Sequence, residues 1–383
     1  MLFKKSQKNI GVAFDIGTAS VSAVLFELPS AERALSVIKT YRKFHKTALR
    51  ADAAHFSKAT ISQFSALLQD IQSEYKNALP NRFHIGLSSV FYLGKTERIY
   101  EKWSKPKVVS QADIDGFIEK GKNKYFSELK RDDVMLFEIV LMKSLLNGYP
   151  IERPVGKNVE EIELWVHYAA TSKDLYDNFS SIVKNFNASA SITFGTFPIN
   201  VWMIMRENIF PEHSVMLVDI GGELTEVTFV VEGVITEIHS LPFGVLNILL
   251  RIAEVEHVEV ENALSLLKAY ADSKLEKEAE ARIRAIIKKE MKSWEEFFER
   301  IWQRANQNVM SNIRMFFFGR GALIDEMKHA ITPPLLHPDL ARGLQTTVIS
   351  PDAFRDKFEA YSGFEGPDDF GLLSLILNIH LIK

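Results

Sequence analysis

An aspartate that ends an apolar run and is followed two residues later by glycine occurs twice in this chain. Asp15 follows Ile10-Gly-Val-Ala-Phe14 and precedes Ile16-Gly17-Thr18, while Asp219 follows Val215-Met-Leu-Val218 and precedes Ile220-Gly221-Gly222. A carboxylate in that place can hold hydrated magnesium, which takes carboxylate and water oxygens. The glycines allow a tight turn and a close backbone approach to a ligand, and the Thr18 hydroxyl can donate to a phosphate oxygen. Such equipment suits phosphoryl transfer, which runs on positioning and charge neutralisation. A third piece, Met315-Phe-Phe-Phe-Gly319-Arg-Gly321, joins an apolar strand through a glycine turn to a helix. The helix N-terminus there suits an anion or a ribose. Taken singly, an Asp-capped turn is an ordinary hairpin; the ordered set of three points to a site.

The elements that must position these residues are legible in the pattern. Residues 10–28 give two strands around the first turn, and Val215–Val231 gives two around the second, with Thr225, Val227 and Phe229 alternating with Glu226 and Thr228. Two copies of one device predict two similar lobes facing each other across a cleft. A third strand is expected in Ala34–Phe44, a helix over Phe56–Ala78 closed by Pro80, and a strand from Arg82. The character then changes. An edge strand over Val90–Trp103, a helix opened by Ser110-Gln-Ala-Asp113, a strand over Val134–Leu146, a connector over 147–157 and a strand over Ile162–Tyr168 make a small α+β module. A helix over Leu175–Phe186 follows, and Ile192–Trp202 leads into another. Asp272–Gln307 carries one mostly apolar stripe, open to a core-facing, membrane-surface or partner helix. Phe370–Lys383 reads as a buried terminal helix.

This ordered set resembles the actin-like ATPase superfamily, which includes actin, sugar kinases, heat-shock chaperones, MreB, FtsA and PilM. The resemblance implies an α/β, ribonuclease H-like, two-lobed fold with an inserted α+β subdomain of SHS2 (1C) type. It matches Asp15, Gly17 and Thr18 to the first phosphate loop, Asp219, Gly221 and Gly222 to the second, Gly244 to the second connecting element, and Gly319 and Gly321 to the adenosine loop. ATP and Mg are the implied cofactors, with Asp15 and Asp219 on the metal. Asn147-Gly-Tyr-Pro, then Pro154-Val-Gly156-Lys157, then a strand, then Thr171-Ser-Lys173 opening a helix, resembles the 1C subdomain of FtsA-type cell-division proteins. The expected parts are a first lobe from 1–87, 172–210 and 355–383, the insert from 88–171, a second lobe from 211–245 and 306–354, and a helical subdomain from 246–305.

Several positions depart from the family pattern. Where the second loop usually reads Asp-x-Gly-Gly-Gly-Thr-x-Asp, this chain has Glu223, Leu224 and Glu226 at the third glycine, the threonine and the closing aspartate. A carboxylate beside a triphosphate is repulsive unless it points away. Ser20 replaces a cation, Ala263-Leu-Ser-Leu-Leu267 replaces the polar adenine-side residues, and Arg320 stands for a glycine, where it would clash with a base or stack on it. These losses predict weak or absent ATPase activity. By resemblance the chain is an FtsA-like scaffold that polymerises into filaments or docks at the membrane, linking FtsZ and other division proteins at the septum. The alternatives are a PilM-like adaptor of type IV pilus assembly, which binds a short cytoplasmic tail of an inner-membrane protein in a groove beside 1C, and an active ATPase of the same fold.

Composition bounds these readings. The chain has 383 residues, 46% hydrophobic and 25% charged, with a formal net charge of −3 and no cysteine. That is a globular profile without disulfides or thiolate chemistry, and without the basic balance of a nucleic-acid binder. No apolar run is long enough to span a bilayer, and Met1–Lys8 lacks a signal-peptide pattern, so the expected location is cytoplasmic, at the inner face of the cell membrane only through a partner. The short Leu2-Phe3-Lys4-Lys5 start is too small to anchor alone. The ten histidines show no His-x-x-x-His spacing, and His337-Pro-Asp339 reads as surface loop.

Overall fold

The computed structural model describes residues 9–28, 34–45, 53–75, 79–208, 214–304, 313–331 and 345–380. The segments holding Leu2–Lys5, His337–Asp339 and the end of the terminal helix lie outside the described residues.

Two sheets share one design. The first has the order β15 (Phe358–Ala360), β3 (Leu35–Phe44), β2 (Ser20–Glu27), β1 (Ile10–Ile16), β4 (Arg82–Leu87), β9 (Ser191–Thr196). The second runs β12 (Val234–Leu241), β11 (Thr225–Val231), β10 (Val215–Ile220), β13 (Arg314–Phe318), β14 (Gln345–Val348). In each, a central strand pairs antiparallel with the next strand of the chain and parallel with a later one: β1 with β2 and β4, β10 with β11 and β13. The register repeats as well, Asp15 opposing Ser22 and Asp219 opposing Glu226.

Helices cover both faces of these sheets. α4 (Phe197–Asn208) and α10 (Phe370–Leu377) lie between the two sheets in one shared core that includes Val24, Phe26, Trp202, Leu217, Phe318 and Phe370. On the outer face of the first sheet pack α1 (Ala53–Glu74) and α3 (Lys173–Phe186), through Phe56, Phe64 and Phe179. The outer face of the second sheet takes α5 (Val245–Glu256), α6 (Val260–Ala271), α7 (Lys277–Glu290), α8 (Lys292–Arg304) and α9 (Asp325–Ile331). Cover on both faces explains why the alternation expected in β11 is not one of exposure: Thr225 to Val230 are all buried.

The described part of the stripe over 272–307, through 301, is core-facing, with Ile283, Ile287, Trp294 and Phe298 buried. It is not one helix. The chain turns at Met291 between α7 and α8, and Trp294 then reaches the ring of Phe243 at 6.0 Å.

The insert is a four-stranded sheet of order β5 (Leu93–Val108), β8 (Asn158–Ser172), β6 (Val134–Leu146), β7 (Tyr149–Pro150). α2 (Gln111–Leu129) covers one face through Ile114 and Tyr125. The Ser110 hydroxyl accepts from the Asp113 N–H at 3.2 Å, closing a capping box that fixes where α2 begins. β5 starts later and runs further than the expected Val90–Trp103, because Ser89–Phe91 forms a 3-10 turn. The insert also braces the second lobe, through Lys143 Nζ to Glu232 Oε2 at 3.1 Å.

Candidate functional site

All nine residues expected at the site converge where the two sheets' hairpin turns meet. At the first turn the Gly17 N–H donates to the Ser20 carbonyl at 3.0 Å; at the second, the Gly221 N–H donates to the Leu224 carbonyl at 2.9 Å. The same short turn therefore follows Asp15 and Asp219, as two copies of one strand–Asp–x–Gly segment should produce. The turns touch. The Glu223 N–H donates to Thr18 Oγ1 at 3.1 Å, and a Cβ placed on Gly222 would stand 2.1 Å from the Ala19 Cβ.

Gly244 and the start of α5 close on the same turn. The Val245 and Leu246 N–H groups donate to the Gly221 and Gly222 carbonyls at 3.0 and 2.8 Å. The first donors of α5, which a phosphate would otherwise use, thus go to the loop itself. Gly319 takes φ 77° and lies against Asp219, its notional Cβ 2.7 Å from Asp219 Oδ1, so a side chain there is barred twice over. Gly321 packs on Ile220. The Gly319 N–H donates to the Pro367 carbonyl at 3.2 Å, tying the second lobe to the approach of α10.

The electrostatics separate the two aspartates. Burial raises Asp15 to about 6, against the pull of Arg42 and with the push of Asp369 and Asp368. Asp219 is pushed well above the carboxylate range by burial, then by Glu226 and Asp15. Glu226 itself rises to about 7 through burial, moderated by hydrogen bonds that include the Tyr92 hydroxyl, 3.0 Å from Oε2. Beside Asp15, Arg42 bonds Asp368 Oδ2 and Asp369 Oδ1, each at 2.6 Å, and Ser22 Oγ at 2.9 Å. Burial would raise Asp368, but Arg42 and Arg320 together bring it below its usual value.

Arg320 pairs with Asp368 across the lobes and lies 5.8 Å from the Phe44 ring centroid. Ala263 and Leu267, expected beside the nucleoside, are buried in the core outside the second sheet.

Three participants carried no sequence signal strong enough to single them out. Tyr92 follows the 3-10 turn at the root of the insert. Glu138, on β6, accepts from the Thr196 N–H and hydroxyl at 3.2 and 2.8 Å, and burial raises it to about 8. The Arg42–Asp368–Asp369 cluster joins β3 to the start of α10; the Asp-Asp pair just before an apolar helix was its one hint.

The residues do not fit a Mg-nucleotide as they are arranged. The Gly17, Gly221, Val245 and Leu246 N–H groups donate within the loops, the backbones of Gly222 and Ala19 occupy the gap between the turns, and Glu223 is buried. Among the described residues, no group of three or more His, Asp or Glu side chains is disposed to hold a metal.

A second concave feature lies where the insert meets the first lobe. This cavity of about 380 Å³ is lined by Ile61 of α1, Val90 to Leu93, Val134 of β6 and Leu175 of α3, with Ser57, Arg131, Asp174 and Asn178 as polar groups. Tyr92 belongs to both features: it lines this cavity, and its hydroxyl reaches Glu226.

No family model matches the chain, and no curated protein matches it. Solved structures do. One, the PilM-PilN type IV pilus biogenesis complex, superposes with a TM-score of 0.58 at 14% identity, covering 96% of this chain and 98% of the other. The ethanolamine utilization protein EutJ from Carboxydothermus hydrogenoformans follows at 12% identity and TM-score 0.47, covering 96% and 89%. A Bacteroides thetaiotaomicron protein of unknown function with an actin-like ATPase fold gives 8% identity and TM-score 0.45, covering 98% and 99%. Two sheets of matching order, joined through α4 and α10, define the class: the chain has the actin-like ATPase fold.

Proposed function

We propose that this protein is an actin-like adaptor that grips a short segment of a partner protein between the insert and the first lobe. The observation that carries this reading is the junction cavity. It has the volume and the mixed lining of a ligand site, with apolar walls from Ile61, Leu93 and Leu175 and polar groups from Asp174 and Asn178 to orient a backbone. The similarity to a PilM–PilN complex, a protein of this fold with a partner, supports the same class of role. A membrane-protein tail is the favoured partner, and location at the inner face of the membrane then comes through that tail.

ATP hydrolysis is not part of this reading, because the turns that would hold the phosphates hold each other. An FtsA-like role with FtsZ as partner is the second reading. It is favoured by the insert's connector, where Gly148 and Gly156 take φ 81° and 83° in the Asn147-Gly-Tyr-Pro and Pro154-Val-Gly-Lys segments.

The test is capture by purified full-length protein of the cytoplasmic tails of inner-membrane pilus proteins and, in parallel, of FtsZ. Leu93 is half-exposed in the cavity wall, so Leu93→Glu should abolish tail capture while leaving the melting midpoint in place. Capture of FtsZ and of no tail would replace the first reading with the second.

A further inference from the structure

The far end of the insert carries a surface that neither lobe uses. Three strand ends meet there: β5 finishes at Val108, β6 at Leu146, and β8 begins at Asn158. The two connecting segments are bonded into one tip. The Val109 N–H donates to the Lys157 carbonyl at 2.9 Å, the Gly156 N–H to the Val109 carbonyl at 2.8 Å, and Asn147 Oδ1 accepts from the Glu160 and Glu161 N–H groups at 3.0 and 3.1 Å. The Ala169 end of β8 packs in the core of the first lobe, so the tip at Asn158 stands roughly 35 Å from that lobe along the strand, at about 3.3 Å per residue.

What the tip displays is unusual for a surface facing water. Tyr149 is 77% exposed, Val108 57% and Val155 44%, and Pro106 and Pro150 are exposed beside them. A single exposed apolar side chain means little, but several together, rimmed by charge, mark an interaction surface. The rim is basic. Lys105, Arg153 and Lys157 are exposed, and among the described residues no carboxylate pairs with any of them. Lys107 is held by Asp113 at 2.5 Å, and Lys102 lies 3.9 Å from Glu161. Glu152, Glu160 and, early in α2, Asp115 are exposed acids nearby, as many as the unpaired cations.

We propose that this tip docks on an anionic phospholipid surface. A ring that is apolar at its face and polar at its hydroxyl, flanked by aliphatic side chains and unpaired Lys and Arg, matches the chemistry of a bilayer interface. Tyrosine settles at headgroup depth, long cationic side chains reach the phosphates while their stems stay apolar, and basic residues are drawn to the negative leaflet. An acidic protein groove would match the cations alone and would leave Tyr149, Val108 and Val155 wet. Asn147, Gly148 and Gly156 take positive φ, which shapes the two turns that carry the surface.

The experiment is sedimentation of the full chain with phosphatidylcholine vesicles and with vesicles that also contain phosphatidylglycerol, over a range of salt. Wild type should sediment with the anionic vesicles alone and release as salt rises. Lys105→Glu with Lys157→Glu should weaken this at least tenfold, about fivefold for each cation lost. Tyr149→Ser with Val108→Ser should weaken it while keeping the salt dependence, and both variants should melt at the wild-type midpoint. The proposal fails if wild type ignores anionic vesicles at low salt, if both variants bind as wild type does, or if neutral vesicles bind equally. It fails too if these residues are needed only to hold an acidic protein.

Discussion

The two Asp-Gly turns have the same backbone and opposite surroundings. Asp15 and Asp219 end equivalent strands, and in each turn the glycine N–H donates to a carbonyl three residues on. Asp15 has Arg42 nearby, whose guanidinium also binds Asp368 and Asp369. Asp219 is influenced by Glu226 and Asp15, both of which push its titration up. A repeated motif thus sets where a carboxyl group stands, while residues brought in from elsewhere in the chain set whether it is charged. Arg42 comes from β3 and its acids from the approach to α10, so the first turn is charge-compensated from a distance and the second is not.

The largest expected effect comes from removing the compensation. Arg42→Ala leaves Asp369 without its cation beside Asp15 and Asp368 with Arg320 alone, and breaking this largely buried network should cost about 3 kcal/mol in denaturant unfolding; a loss under about 1 kcal/mol would show the network to be solvated. Next is the steric difference between the turns. Gly222→Ala forces a Cβ against Ala19, whereas at Gly17 the nearest atom to a new Cβ is the Ser20 carbonyl oxygen at 3.2 Å. Gly222→Ala should therefore cost about 1–3 kcal/mol, and Gly17→Ala clearly less; equal losses would mean that the turns do not touch.

Smaller effects follow from protons. Asp15, Glu226 and Glu138 titrate at about 6, 7 and 8 in the folded chain. Each is above its unfolded value, so the native state holds more protons through that window and stability falls as pH rises from about 5 to 8, by up to ~1.4 kcal/mol per pH unit for each group. Glu226→Gln keeps an acceptor for Tyr92 and should flatten this slope, leaving the variant more stable than wild type at pH 8. The smallest contrast is between equivalent substitutions at neutral pH. Asp219→Asn should be neutral or stabilising, and Asp15→Asn should cost up to about 1 kcal/mol because Arg42 loses a neighbour. The reverse order would remove the distinction between the turns.

Much of the fold was legible because its signals are local. The apolar runs, the glycine turns and the Ser110 cap gave strands, hairpins and the strand–helix–strand–strand order of the insert. The meeting of the two Asp-Gly turns followed from the repeat, while Gly244, Gly319 and Gly321 were placed with them by the family resemblance. What stayed hidden depends on distant neighbours. Nothing beside Arg42 announces that it will meet Asp368, and nothing beside Tyr92 announces Glu226. The turn at Met291 was also hidden, since a continuous apolar stripe reads the same whether one helix carries it or two. The departures at Glu223 and Glu226 were visible, but not their consequence. Glu223 meets the first turn through its backbone N–H, and Glu226 turns to Tyr92 at the root of the insert.

That consequence is open to one direct measurement, the melting midpoint of the purified protein titrated with Mg-ATP and with Mg-ADP. A ligand present at a hundred times its dissociation constant stabilises a protein by about 2.7 kcal/mol, a clear rise in midpoint. With the Thr18 and Gly222 turns closed on each other, neither nucleotide should move it. A rise in wild type that is lost in Asp219→Ala would contradict this account, showing that the turns part to admit a nucleotide and that the protein works as a switch.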